Sequence, residues 1–316
     1  MMNRPPLIIL TGPTAAGKTA LSVALAQRIN GEIISADSMQ VYRHMDIGSA
    51  KVSREEMEGV RHHLIDVLEP WEEFNVTVFQ RLANEALSRI YERGRIPVVA
   101  GGTGFYIQAL LREIDFTEND GDMEYRHMLE TLAREKGAKA LHAMLEQADP
   151  ESAAAIHENN IKRVIRALEF HEKTGTQISL HNEKERQRPS PYRFAYYVLN
   201  MERELLYERI DARVDQMLAA GLVGEVTQLK EMGCTRDMVS MQGLGYKEIL
   251  DYLDGKQSLE EAVRILKRDT RHFAKRQLTW FRREHEVCWL SQEAFHFDKE
   301  RILDWMLGDL QSRGII

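Results

Sequence analysis

Two cysteines in 316 residues, Cys234 and Cys288, stand far apart. They form no CxxC pair, which excludes a disulfide scaffold and a cysteine-based zinc site and fits a reducing compartment. Eight prolines and 20 glycines give no low-complexity bias, so disorder is excluded as the main state. No apolar run approaches the roughly 20 residues that cross a bilayer. The stretch Met1–Leu10 carries one arginine and a short apolar run, too little for a signal peptide, so a cytoplasmic protein is expected. No internal repeat is present. What is there, 43% hydrophobic and 29% charged residues, describes a globular chain of enzyme size. That length holds one large or two modest domains.

The net charge of −7 is unevenly spread. Residues 115–158 hold eleven acids against four bases, and residues 159–193 hold eight bases against four acids. The strongest basic block is Arg264, Lys267, Arg268, Arg271, Lys275, Arg276, Arg282 and Arg283, opposed within the block by Asp269 alone. At helical spacing most of these bases fall on one stripe. Leu266, Phe273, Trp280 and, less squarely, Phe281 fall on the other side and read as core. A merely solvated face interleaves both signs, so this one is expected to meet a polyanion.

Apolar runs at Leu7–Leu10, Glu32–Ser35, Ile96–Ala100 and Phe194–Leu199 read as strands. Helical periodicity covers Lys18–Ile29, Asn75–Arg93 (stopped by Gly94), Phe105–Arg112 and Arg203–Ala220. Strands alternating with helices imply an α/β fold, a parallel sheet flanked by helices. From about 115 to 190 strand signals vanish. Helices such as Met123–Lys136 and Asn160–Lys173 take over, and Pro189-Ser190-Pro191 reads as a linker. The expected organisation is a core of 1–114 and 191–291, an all-α insertion of 115–190, and a helical tail of 292–316.

Gly12-Pro13-Thr14-Ala15-Ala16-Gly17-Lys18-Thr19 matches GxxxxGK[ST], after an apolar strand and opening a helix. The glycines turn backbone N–H groups inward around a phosphate, and the helix N-terminus adds partial positive charge. Lys18 neutralises phosphate oxygens and the Thr19 hydroxyl can ligate Mg²⁺. NTPases of this class place a magnesium-binding Asp after a later apolar strand. Here Ile96–Ala100 runs into Gly101-Gly102-Thr103 with no acid, and Asp66 is a weaker candidate. That argues against a motor or switch ATPase. Asp37 follows the second strand, at the sheet end where ligands of open α/β sheets bind, and can accept a proton there.

Further segments join these in one order: Ile34–Ser38 with Val41-Tyr42 and Met45–Lys51, His63–Asp66, Gly101–Tyr106, Asn160–Glu169, Arg209–Met217, Gly243–Glu248 and Arg271–Trp280. Over residues 7–291 the series closely resembles the bacterial tRNA dimethylallyltransferases, also called tRNA isopentenyltransferases. The resemblance implies a P-loop core with a helical insertion. It implies transfer of a dimethylallyl group from dimethylallyl diphosphate to N6 of adenosine 37 of tRNA, next to the anticodon, in tRNAs reading codons that begin with U. The loop would then hold the donor's diphosphate through Gly12, Thr14, Ala15, Ala16, Gly17, Lys18 and Thr19, with Mg²⁺ on Thr19. Asp37 would be the general base. Thr103, Arg213 and Arg209 match positions near the diphosphate or its channel, without deciding which arginine touches it.

The resemblance also implies tRNA contacts by Asp37, Ser38, Met39, Gln40, Thr103, Arg126, Lys162, Arg163, Arg166, Gln242, Gly245, Tyr246, Lys247, Arg271, Lys275 and Arg276. The base must leave the anticodon-loop stack to react, and single-stranded RNA binds cations beside stacking surfaces. A monomer with no membrane association is expected. Three alternatives stay open on the residues: a P-loop kinase with ATP on the loop, a prenyltransferase acting on free adenine nucleotide, and a non-catalytic tRNA-binding protein.

Overall fold

The computed structural model describes residues 4–114, 116 and 123–316. The start of the acidic run, 115 and 117–122, lies outside them, as do the first three residues of the N-terminal stretch. In chain order the elements are β1 (Pro6–Thr11), α1 (Lys18–Arg28), β2 (Gly31–Ser35), β3 (His62–His63), α2 (Val76–Glu92), β4 (Ile96–Gly101) and α3 (Gly104–Arg112). Then come α4 (Met123–Lys136), α5 (Ala138–Ala148), α6 (Pro150–Ala155), α7 (Ile161–Thr174) and α8 (Ile178–Gln187). The remainder is β5 (Arg193–Asn200), α9 (Arg203–Ala219), α10 (Leu222–Glu231), α11 (Tyr246–Leu253), α12 (Leu259–Phe281), β6 (Val287–Ser291) and α13 (Lys299–Ser312).

The chain divides into two compact units, one from the N-terminus to Leu111 together with Pro191–Ile316, the other Arg112–Ser190. The first holds a six-stranded sheet of order β3-β2-β4-β1-β5-β6, every pair parallel. β1 shows why the run is apolar throughout. Leu7 and Ile9 enter one core and Ile8 and Leu10 the other, so both faces are covered. α2, α3, α10 and α11 supply one layer, and α1 and α13 the opposite one. Residues 292–316 are part of this unit, since Ile302, Leu303, Met306 and Leu310 of α13 pack into the second core. Asn75 caps α2 by accepting from Val78 N at 3.1 Å, and Gly94 ends it with φ 64°.

The second unit is all helical around Leu129, Leu141, Leu145, Val164, Ile165 and Leu168. Buried Asp149 holds it from below. Its carboxylate accepts from the backbone N–H and hydroxyl of Ser152 and of Ser179 at 2.7–3.0 Å. No helix among the described residues is long and apolar enough to cross a membrane.

One acid is buried inside the sheet. Glu32 of β2, 1% exposed, accepts from Arg93 at 2.7 and 2.9 Å and meets His63 Nε2 at 2.7 Å. Burial pushes its carboxyl up, but the Arg93 and His63 contacts outweigh it and hold the group below its ordinary value. The charge therefore contributes stability above the ordinary carboxylate range and loses it as pH falls through the lowered value. Glu32→Gln leaves Arg93 facing a neutral group, and should cost about 3 kcal/mol at neutral pH. Urea unfolding of both proteins should show the gap narrowing on acidification.

Candidate active site

The carboxyl ends of β1, β2 and β4 share one edge of the sheet, where ligands of open parallel sheets sit. The phosphate loop leaves β1, Asp37 leaves β2, and Gly101-Gly102 leave β4. These three segments line one cavity. Glycine is required where they approach. A Cβ on Gly12 would lie 2.5 Å from the Leu199 carbonyl oxygen, and one on Gly101 would strike the Ala36 carbonyl. Ala15 sits at φ 64° without being glycine, and Gly17 at φ 81° opens α1. Thr11 ties β1 to β4 beneath the loop, its hydroxyl donating to Gly101 O at 2.7 Å.

Thr14, Ala15, Gly17, Lys18 and Thr19 all line the cavity. Gly12 and Ala16 stand behind them through their carbonyls: Gly12 O accepts from Lys18 Nζ at 3.0 Å, and Ala16 O accepts from Gln292 at 2.9 Å. Pro13 O takes a second bond from Lys18 at 2.7 Å. Burial, then the neighbouring Arg213 charge, pulls the Lys18 ammonium down to about 8, against the opposing pull of Asp37. Arg213 itself is lowered by burial, with Asp37 and Glu56 working the other way. Two cations that have lost part of their water thus share one carboxylate, and a bound anion would relieve both. This separates the two arginines. Arg213 of α9 lines the cavity, whereas Arg209, one turn earlier, lies 5.7 Å above the Phe297 ring and lines none of it.

Asp37 is both a turn acid and a cavity residue. Its Oδ1 accepts from Met39 N at 2.8 Å and Gln40 N at 3.4 Å. Gln40 also lines the cavity, and its amide donates to Ala50 O at 3.2 Å. Ser38 and Met39 are half-buried beside it. Thr103 donates its N–H to Ala36 O at 3.2 Å, immediately before Asp37, and its carbonyl accepts from the first N–H groups of α3. Its side chain is absent from the described cavity lining. Asp66 is elsewhere, paired with Lys51 at 2.6 Å. No cluster of three or more acids, histidines or cysteines suited to a metal occurs among the described residues.

Several expected RNA contacts are engaged within the protein. Tyr246 is fully buried, and its hydroxyl donates to Glu225 at 2.9 Å. It is a core residue, and Gly245 beside it is buried at φ 94°. Lys247 is half-buried 3.4 Å from Glu248. Gln242 is exposed and donates to Arg236 O. Arg126 is bound by both oxygens of Glu169 at 2.7 and 2.8 Å. Arg166 is half-buried and lowered by burial, while Lys162 and Arg163 are exposed.

The basic stripe of α12 is also less bare than its local sequence. Arg264 pairs with Glu261, Lys267 with Asp215, Arg268 with Asp269, and Arg271 with Asp211, two of these acids coming from α9. Lys275, Arg276 and Arg283, with His272, Thr279 and Trp280, line an open concave pocket farther along. Phe273 and Trp280 are both half-buried, Trp280 packed against the first core and Phe273 outside it. Phe273 lines the cavity of the phosphate loop, Trp280 packs edge-on to Phe105 at 6.1 Å, and only Phe281 is fully buried.

Other residues at the site carry no motif. His62 lines the cavity with its Nδ1 2.9 Å from Val60 O, and burial lowers its pKa. Glu225 collects the N–H groups of Asp46, Ile47 and Gly48 at 2.7–3.0 Å and so fixes the segment that brings Ser49 and Val52 to the cavity.

A parallel sheet, a glycine loop opening α1 and an acid after the neighbouring strand define a P-loop α/β protein. The chain belongs to the IPP transferase family, whose model matches residues 40–284. It is therefore a transferase. It is 62% identical to the tRNA dimethylallyltransferase of Lachnoclostridium phytofermentans over 98% of this chain and 99% of that protein. The full-length tRNA isopentenylpyrophosphate transferase of Bacillus halodurans superposes with a TM-score of 0.73 at 46% identity, covering 99% of this chain and 98% of that one. A eukaryotic dimethylallyltransferase, captured acting on tRNA, gives 0.77 at 31% identity, covering 91% and 74%.

A Cβ at Gly101 meets backbone rather than a yielding side chain, so Gly101→Ala must move the Ala36–Asp37 link. Thermal unfolding should show a loss of about 1–3 kcal/mol.

Proposed function

We propose that this enzyme transfers the dimethylallyl group of dimethylallyl diphosphate to N6 of the adenosine at tRNA position 37, in tRNAs reading codons that begin with U, within the cytoplasm. The observation that carries the reading is the placement of Lys18, Arg213 and Asp37 around one cavity: two cations for a departing diphosphate beside one carboxylate for a proton.

The amine attacks the donor's C1 as the C1–O bond breaks, and that bond's electrons leave with the diphosphate. The loop N–H groups, Lys18 and Arg213 stabilise the oxygens that gain charge. An adenine amine is a weak nucleophile and must shed a proton as N6–C1 forms. Asp37 takes it. Met39 N and Gln40 N hold Oδ1, and among the described residues no hydrogen bond engages Oδ2, which is left for the proton. Thr103 keeps Asp37 in register through the Ala36 carbonyl. The site fits Mg²⁺: the Thr19 hydroxyl is a hard oxygen on the cavity, without a protein cage, as suits an ion that keeps its waters and binds phosphates. When bound, it supplies positive charge to the diphosphate.

Acceptor binding falls to the exposed cations Lys275 and Arg276 of α12 and to Lys162 and Arg163 of the helical unit, with the adenine extruded toward Asp37. A metabolite kinase would leave the concave basic pocket without a use.

Purified protein with labelled dimethylallyl diphosphate and unmodified tRNA should place label at adenosine 37, and none on AMP. Asp37→Ala should lower the rate at least about a hundredfold. Label on AMP, or ATP consumption with a small-molecule acceptor, overturns the reading. pH separates the role of Lys18. Below about 8 its ammonium is charged and ready. Above that, diphosphate binding must take up a proton, so affinity falls by up to tenfold per pH unit. Calorimetry with inorganic pyrophosphate should show this inflection, and Lys18→Met should remove it.

A further inference from the structure

We infer that Gln277 is a positioning residue, which holds the phosphate loop and the Gly101–Thr103 turn in one fixed relation to the RNA-facing side of α12. The inference rests on the function proposed above. Gln277 is 7% exposed and sits where the loop and the turn meet. Its Oε1 accepts from Thr14 N at 2.9 Å, and its Nε2 donates to Gly102 O at 3.0 Å. The two backbone partners fix which end of the amide is which: an N–H must meet the oxygen and a carbonyl must meet the nitrogen. Glutamate would set a carboxylate against Gly102 O, and methionine would match neither partner. Gly102 is shaped to this contact, because a Cβ there would collide with Gln277 Nε2.

The geometry has a consequence for the reaction. Thr14 belongs to the segment that grips the leaving group. Gly102 precedes Thr103, whose N–H binds the Ala36 carbonyl next to Asp37. One amide therefore sets the donor's phosphates relative to the base. It projects from the same two turns of α12 whose outer side presents Lys275, Arg276 and Thr279. RNA seated on that side rests on the helix that fixes the loop. Transfer needs reacting atoms about 3–3.5 Å apart, and a displacement near 1 Å costs on the order of a hundredfold in rate.

The test compares wild type with Gln277→Glu and Gln277→Met for kcat, donor KM, tRNA Kd and Tm. Both variants should lose about ten- to a hundredfold in kcat, with tRNA Kd within about twofold of wild type. A cycle adds a second readout. Gly102→Ala should impair the wild-type background and cost nothing further in Gln277→Ala, where the nearest remaining neighbour is Gly12 O at 3.6 Å. Variants with wild-type kcat overturn the inference. So does a joint fall of kcat, tRNA affinity and Tm, which marks Gln277 as mere packing, and so does an additive cycle. If wild type itself prenylates no tRNA, the proposed function fails, and the inference with it.

Discussion

An open phosphate loop has to keep its inward N–H groups free for a ligand while its other backbone groups find partners inside the protein. Most of the surrounding architecture answers that constraint. Gln277, 263 residues downstream, takes Thr14 N, and Gln292, 276 residues downstream, donates to Ala16 O. Lys18 folds back on the Gly12 and Pro13 carbonyls. The loop is thus held by the far end of the chain as well as by its own Lys18. α12 and the start of the C-terminal segment belong to the same compact unit as β1.

The same economy of partners governs the acid. Asp37 is fixed by two N–H groups of its own turn, while Ala36 is pinned from the other side by Thr103 N and by the closeness of Gly101. Glu225 does the equivalent for the segment that carries Ser49. These walls of the cavity are set by hydrogen bonds to backbone, from side chains and from the main chain alike, which resist small displacements.

The fold was legible where one segment carries the whole signal. The runs around Leu7–Leu10 and Ile96–Ala100 are apolar because both their faces are buried, and Gly94 stops α2 as a left-handed glycine should. β3 has two residues and no apolar run, so nothing in the sequence announced it. The loop and Asp37 were legible because motif and strand end coincide. Gln277 and Gln292 were not, since a glutamine has no spacing signal and their partners in the phosphate loop lie more than 260 residues away. The charge of α12 is less bare than its own segment reads, because Asp211 and Asp215 reach it from α9. Helical periodicity puts Phe273 on the side of α12 away from the cations, where apolar packing is expected. Phe273 meets the ligand cavity instead. Tyr246 lay in a segment matched to RNA contact, yet its hydroxyl serves Glu225 in the interior.

The helical unit separates β4 from β5 by roughly 90 residues, although both flank β1 in the sheet. During synthesis, at about 5–20 residues per second, β1 gains β4 long before β5 exists. For roughly 5–20 seconds a half-sheet stands with the apolar edge of β1 unpaired. The helical unit, built from local contacts around its own core, can fold within that interval. The nascent chain therefore carries a risk of edge-to-edge association between the emergence of Gly101 and that of Arg193.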